Sequence, residues 1–475
     1  MSAPQHRAVN GESVIRRLPQ TIRRAFAEFL KIPALIIVGF LLLAAAATAA
    51  DYLLSEGDHP LRGALRQYLF RNGQATADLL GAIAAGVITV VSITFSMLLL
   101  AVQQAAGALT HEVYDQFLRR RINQVYFGFF VGLAIYALLI LATVDEPFNP
   151  VFGAALALLF TLAAMVLMIV LLYTTVNQMR PVVVIDKIHD HALRARERQL
   201  TWLGAVRSAA QARGAACEII KSEVHGYVVG IDFEGLGHAA AKMGRGVEIV
   251  LKIAVGGYVA FDDELAEVGA DSPRDAAELA GAVRAAIRIE QQRDLENDPA
   301  YAIEQLAIIA WTSVSTAKSN PSPGLLVLHS LRDLLARWSV ADERDAGEDQ
   351  RRPLPIVYRD DVVEHLYDAF EAIAVVASES MQPQTTAEFI RTFAIMFRRL
   401  PPSQQERAES LIRRSLSAFG EHVLTSELDA ALAALAMELQ AAARHQTAAE
   451  VQAARQVLGE SIGRLGSRAT RVKGK

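Results

Sequence analysis

The stretch that decides the fold is LLGAIAAGVITVVSITFSMLLLAVQQAAGALT, residues 79–110. None of its 32 side chains is charged. A helix of about 20 apolar residues is enough to cross the hydrocarbon core of a bilayer, which is ~30 Å thick. Inside that core the backbone must satisfy its own hydrogen bonds, so the stretch predicts a membrane-spanning helix. It also contains serine, threonine and glutamine, and their arrangement bears on function.

Three more uncharged runs cover residues 32–50, 122–144 and 147–179. Together with the first they predict four spans, near residues 32–54, 79–105, 122–144 and 150–176. The remainder, residues 180–475, has the mixed charge of an ordinary soluble protein. The pattern therefore predicts a multi-pass membrane protein with a large part outside the bilayer.

The expected fold class is mainly α, and we predict five parts. They are a basic amphipathic N-terminal segment (1–31), a four-helix transmembrane domain (32–179), a cytoplasmic α+β module of small barrel or sandwich type (180–270), a helical cytoplasmic domain (271–460) with a linker at 341–355, and a basic tail (461–475). The strands are expected at 227–233, 247–253 and 258–261, where β-branched and aromatic residues stand between glycines. Residues 190–222 and most of the chain after Pro273 read as helical, and 425–460 reads as one helix.

Orientation follows from the distribution of lysine and arginine. Cytoplasmic termini place 14 basic residues near the inner ends of the spans and three near the outer ends. The leader, TIRRAFAEFLK, resembles a twin-arginine export signal, but Ala27 and Glu28 interrupt that pattern, which favours an uncleaved first span. We therefore expect a bacterial inner-membrane protein with both termini in the cytoplasm.

Small and polar residues of the second span share one side of the helix. At ~100° per residue they fall within an arc of about 80°. The stripe consists of Gly81, Ala85, Thr89, Ser92, Ser96, Gln103 and Gly107. Small residues let helices approach closely and hydroxyls bond across the contact, so the stripe is either a packing surface or the lining of a water-filled pore.

Two neighbouring motifs complete the candidate site. Gly128 and Gly132 form a G-x-x-x-G motif in the third span, which indicates close helix packing and makes this span a natural partner for part of the stripe. Arg119, Arg120 and Arg121 precede that span and would place positive charge at a cytoplasmic mouth.

Several functional classes lack their signatures. The chain has no P-loop, no H-E-x-x-H and no G-x-S-x-G, so we predict no catalytic residues, no cofactor, no metal site and no enzymatic activity. GLGHAA, residues 235–240, follows a strand but leaves too little room for a dinucleotide-binding crossover. A net charge of −4 does not suggest a nucleic-acid partner.

The order of segments resembles a bacterial family of predicted integral membrane proteins that is catalogued as a domain of unknown function. The resemblance is carried by SITFSMLLLAVQQ in the second span, the arginine cluster with the third span, HGYVVGID and DLENDPAYAIEQLAIIAWTSV. The chain departs from the family pattern in SVSTAKSNPSPG, residues 313–324, where asparagine or proline replaces an expected acidic residue. The resemblance implies an inner-membrane location and no established activity.

Two functions remain open at this point. One is an oligomeric passive channel or pore for ions or small solutes, lined by the second spans of several copies. The other is a non-transporting membrane scaffold or sensor with a cytoplasmic interaction domain. Expected partners are the lipid bilayer, further copies of the same chain in a homo-oligomer, and a cytoplasmic protein, with no nucleic acid.

Overall fold

The computed structural model describes residues 30–53, 60–108, 121–145, 148–178, 180–210, 216–243, 246–316, 320–345, 353–419 and 423–460. The chain divides into two compact units, Met1–Arg180 and Pro181–Lys475. Each is described by itself below. The expected division between a mainly helical membrane part and a second part that contains strands is confirmed.

Where the structure describes it, the first unit has four long apolar helices and one short helix. The long helices are α1 (Lys31–Leu53), α3 (Gly73–Ala108), α4 (Arg121–Ala142) and α5 (Val151–Gln178), and the short one is α2 (Pro60–Tyr68). All four long helices are long and apolar enough to cross a membrane, as the sequence predicted. Helix α3 begins six residues before its uncharged run and has 36 residues, so it extends about 54 Å and is longer than the hydrocarbon core.

Aromatic side chains form the centre of this bundle. The ring of Phe40 on α1 meets those of Phe129 and Tyr136 on α4, and of Phe160 on α5, edge to face at centroid distances of 5.5, 6.1 and 5.4 Å. Such edge-to-face pairs stabilise beyond the area that they bury. They fix α1, α4 and α5 around one apolar core.

The second unit begins with a helix and a region of mixed structure. Its elements are α6 (Pro181–Leu203), β1 (Ala216–Lys221), β2 (Gly226–Ile231), α7 (Phe233–Met243), β3 (Glu248–Leu251), β4 (Tyr258–Val259), β5 (Glu264–Ala270), α8 (Pro273–Ala286) and β6 (Ile287–Glu290). The strands form two sheets with the orders β1-β5-β3-β7 and β4-β2-β6, where β7 is Ile356–Val357. A core of aliphatic side chains lies between these strands and helices α7 and α8.

A short sequence repeat explains one strand pair. Gly226-Tyr227-Val228 in β2 recurs as Gly257-Tyr258-Val259 around β4, and the two copies pair with each other. Tyr227 lies opposite Tyr258, with ring centroids 5.2 Å apart. The repeat therefore marks two antiparallel neighbours in one sheet.

Apart from β7, the regular elements described after β6 are helices. They include α9 (Pro299–Val314), α10 (Ser322–Asp345), α11 (Val362–Glu379), α12 (Pro383–Met396), α13 (Pro402–Leu416), α14 (Ser426–Ala441) and α15 (His445–Glu460). Asp298 caps α9 by accepting a hydrogen bond from the Tyr301 backbone N–H, and it forms an ion pair with Arg293 at 2.8 Å. Burial raises the pKa of Asp298, and Arg293 opposes that rise.

Several sequence expectations for the second unit are wrong in detail. Residues 216–221 form a strand although 190–222 read as helical, and β6 and β7 lie beyond the predicted end of the strand-containing module at 270. The predicted helix 425–460 is two helices, because Ala443 adopts a left-handed conformation with φ 60° at the turn. Residues 341–345 continue α10 rather than opening the linker.

Candidate functional site

The stripe lies on α3, and the packing of α3 defines which side of the helix is covered. Leu80, Ile83, Ala84 and Val87 are buried against the other helices of the bundle. On a helical wheel with Thr89 at 0° these residues occupy the side between about 120° and 220°. Helices α4 and α5 make the contacts with this side.

The stripe occupies the opposite side. Ala85, Thr89, Ser92 and Ser96 are exposed, and Gly81 is half-buried. They lie between about 280° and 360° on the same wheel, directly across the helix from the packed side. The other described helices of the first unit therefore do not cover these four exposed stripe residues.

Large apolar side chains border the stripe on both sides. Ile88 and Phe95 stand on one side, with 47% and 59% of their surface exposed, and Ile93 and Met97 stand on the other, with 55% and 47% exposed. The exposed face of α3 is thus a narrow polar stripe between two apolar shoulders.

The stripe hydroxyls bond to their own helix. Thr89 Oγ1 donates to the Ala85 carbonyl at 2.8 Å, Ser92 Oγ to Ile88 at 3.1 Å, and Ser96 Oγ to Ser92 at 2.9 Å. Such bonds to the preceding turn satisfy the hydroxyl donor. The hydroxyl oxygens still have lone pairs to offer. The three hydroxyls of the described stripe residues thus have no unpaired donor, and this part of the stripe can face water, another helix or lipid.

Part of the predicted site lies outside the described residues. This is true of Arg119 and Arg120, of the side chains of Gln103 and Arg121, and of the exposure of Gly107. The charge at the predicted mouth therefore stays a prediction.

The glycine motif of α4 packs on the first span. A Cβ at Gly128 would lie 2.8 Å from the Pro33 Cα, and a Cβ at Gly132 would overlap the ring of Phe40. Both glycines thus allow α1 to approach α4 closely. The partner that the sequence suggested, the stripe on α3, is not the one that these glycines meet.

Sequence reasoning missed a buried acid at one end of the bundle. Asp51 stands in the last turn of α1 and is fully buried. Its Oδ1 accepts a hydrogen bond from the Phe152 backbone N–H at 3.0 Å, and its Oδ2 accepts one from Gly153 at 2.8 Å. The carboxylate therefore caps the N-terminus of α5 from a neighbouring helix, where the helix dipole favours negative charge.

Two further polar contacts surround this cap. Tyr136 Oη donates to the Gly153 carbonyl at 3.0 Å, and Asn149 Nδ2 donates to the Phe70 carbonyl at 3.2 Å. They join α4, the segment before α5 and the turn after α2. The position of Asp51 at the end of an uncharged run suggested only a boundary, and no local signal indicated this partner about 100 residues away.

Comparison with known proteins gives one match. The family described as "Predicted membrane protein (DUF2254)" matches residues 27–394, which is more than half of the chain. No curated protein and no solved structure matches the sequence.

Proposed function

This chain belongs to the DUF2254 family of predicted membrane proteins, and on that premise we propose that it is an oligomeric passive pore for ions or small solutes. Several copies would bring their α3 helices around a common axis. The observation that carries the proposal is the exposure of Ala85, Thr89, Ser92 and Ser96 on the side of α3 that the bundle leaves uncovered. A homo-oligomer is part of the proposal, because the described part of a single bundle leaves these four residues at its surface.

The chemistry of the stripe suits a weakly selective pore. Hydroxyl oxygens at Thr89, Ser92 and Ser96 would offer lone pairs in place of water to a passing solute, while their protons stay on the helix backbone. The apolar shoulders would pack between neighbouring copies. Uncharged lining groups provide no coupled proton or ion site, which fits a passive conduit better than a pump.

Position and selectivity complete the proposal. The excess of lysine and arginine on one side supports an inner-membrane location with both termini in the cytoplasm. Arg119, Arg120 and Arg121 would then stand at the cytoplasmic mouth and favour anions. The second unit would be cytoplasmic and available to a protein partner.

The alternative is a membrane scaffold or sensor that transports nothing. The observation that favours it is the satisfaction of every stripe hydroxyl donor by its own helix. Such a stripe can pack tightly against a second copy, with small residues at the contact and no water between the helices. The two functions differ in whether Ser92 meets water.

Conductance separates the two functions. Purified protein in planar bilayers is expected to conduct, and Ser92→Leu is expected to reduce the current to that of a protein-free bilayer by filling the lumen. Val166→Leu is the matched control, because Val166 is an exposed apolar residue of α5 with 62% of its surface accessible. Silent bilayers from folded oligomers, or equal currents from wild type and Ser92→Leu, would refute the pore.

A further inference from the structure

The second unit contains an open cleft between α6, the turn from β2 into α7, and β6. Its volume is about 470 Å³, within the range of about 300–1,000 Å³ that is typical of small-molecule sites. Ala195 and Trp202 of α6, Val229 of β2 and Phe233 of α7 supply apolar lining. The rings of Trp202 and Phe233 stack at 4.0 Å, which makes this part of the wall rigid.

One arginine reaches the cleft across a glycine. Arg288 of β6 pairs with Gly230 of β2, and both residues line the cleft. A Cβ at position 230 would lie 2.7 Å from Arg288 Nη2. Gly230 does not have a positive φ, so its backbone conformation does not require glycine. The absence of a side chain instead leaves space for the guanidinium of Arg288.

A second arginine is held at the cleft by a hydrogen-bond relay. Arg198 Nη1 donates to Asn297 Oδ1 at 3.2 Å, and Asn297 Nδ2 donates to Asp294 Oδ2 at 2.7 Å. Both Arg198 and Asn297 line the cleft. Asp294 fixes the amide of Asn297, and this amide orients the guanidinium of Arg198. Because the amide is uncharged, it does not neutralise the arginine.

The cleft carries net positive charge, since two arginines and one aspartate line it. Within the described part of the chain, neither Arg198 nor Arg288 forms an ion pair. The acidic residue in the lining is Asp232, whose Oδ1 accepts a hydrogen bond from the Gly235 backbone N–H at 2.9 Å at the start of α7. Arg198 and Arg288 are both exposed, so their guanidinium groups are accessible to a ligand in the cleft.

We propose that this cleft binds a small organic anion through Arg198 and Arg288. The planar guanidinium presents paired donors that match a phosphate or carboxylate group, which makes arginine the side chain suited to such ligands. The carbon part of the ligand lies against Trp202 and Val229. The site is separate from the stripe on α3, and it does not depend on whether the protein conducts.

Calorimetric titration of the full chain in detergent tests the site, with glycerol 3-phosphate as the phosphate probe, citrate as the carboxylate probe and glycerol as the uncharged control. At least one of the two anions is expected to bind, and glycerol is not. Comparison of the two anions tells which acidic group the cleft prefers. Absence of binding by both anions at millimolar concentration overturns the proposal.

Variants locate the binding within the cleft. Arg288→Ala is expected to weaken the anion about tenfold or more, as is typical for loss of one charge-assisted contact. Gly230→Ala should weaken it in the same direction, because the new methyl group displaces the flexible end of Arg288. In the Arg288→Ala background, Gly230→Ala should add nothing, since the group that it displaces is gone.

The matched control is Arg284→Ala, which removes an exposed arginine of α8 outside the cleft lining. It is expected to leave the affinity unchanged. Equal weakening by Arg284→Ala and Arg288→Ala would show a general charge effect and overturn the assignment. Circular dichroism melting of each variant confirms that the fold is retained.

Discussion

Removal of the Asp51 carboxylate should release the N-terminus of α5. Asp51→Ala leaves the backbone N–H groups of Phe152 and Gly153 without the acceptor that binds them at 3.0 and 2.8 Å. A hydrogen bond to a charged acceptor contributes about 1.5–3 kcal/mol, and the helix dipole adds about 0.3–2 kcal/mol. Removing a buried charge also removes its desolvation cost, so we expect a net loss of about 2–4 kcal/mol at this contact.

Hydrogen exchange at α5 measures this loss directly. A change of about 2–4 kcal/mol corresponds to exchange about 30- to 800-fold faster at Phe152 and Gly153, measured by mass spectrometry of the protein in detergent. Asp51→Asn keeps one amide oxygen as an acceptor and should give an intermediate rate.

Asp145→Ala is the matched control for the Asp51 variants. Asp145 is acidic and exposed, and it precedes α5 by only a few residues. Unchanged protection at Phe152 and Gly153 in Asp51→Ala would refute the capping role. An equal loss of protection in both alanine variants would refute it as well.

Three further outcomes follow from the packing. Gly132→Ala drives a methyl group into a ring of α1 and should lower the stability by about 1–3 kcal/mol in thermal melts. Gly86→Ala places its methyl group in open space and should be neutral or slightly stabilising. Equal changes in melting temperature for the two variants would contradict the close approach of α1 to α4. Glu388→Gln leaves a histidine and two arginines without their shared buried carboxylate. The free energy of unfolding, measured in urea, should therefore fall by about 1–3 kcal/mol. An unchanged midpoint of the urea transition would contradict this. The carboxylate of Asp361, 3.7 Å away, raises the pKa of His365. This pair therefore stabilises the fold at low pH, and its contribution is lost as the pH rises through that pKa. The melting temperature of wild type should exceed that of His365→Gln more at about pH 5.5 than at about pH 8.5, and a difference that does not change with pH would contradict the pairing.

The membrane helices could be predicted from the sequence because their signal is local and continuous. Uncharged runs of sufficient length leave a helix as the only backbone arrangement that satisfies its own hydrogen bonds in lipid. The second unit was harder, since β7 has only two residues and pairs with β3 about 100 residues earlier in the chain. Such a contact leaves no trace in local periodicity.

The turn at Ala443 shows a second limit of local patterns. The left-handed residue at this turn is an alanine, which has the highest helix propensity, rather than a glycine or proline. The local sequence therefore predicts that the helix continues. Packing of α14 against α15 decides the break. The same reasoning applies to Asp51, whose burial depends on where α5 begins.

The candidate site was only half predictable. A helical wheel places Thr89, Ser92 and Ser96 on one side of α3, because their spacing follows the helical period. Which side the bundle covers depends on where α4 and α5 pack, and only the structure shows that the covered side is the opposite one. The bonds from the hydroxyls to the helix backbone also remove the expected need for a protein or water partner.

Water access to position 92 during conduction tests the central claim most directly. In a Cys217→Ser background, which removes the single native thiol, Ser92→Cys is compared with Val87→Cys on the buried side of α3 and Ile169→Cys on the exposed apolar face of α5. A charged, membrane-impermeant methanethiosulfonate reagent is added while current flows in a planar bilayer. A pore lined by the stripe predicts rapid block of the Ser92→Cys current and no effect on the other two, whereas a Ser92→Cys current that persists while the introduced thiol stays unmodified would contradict it.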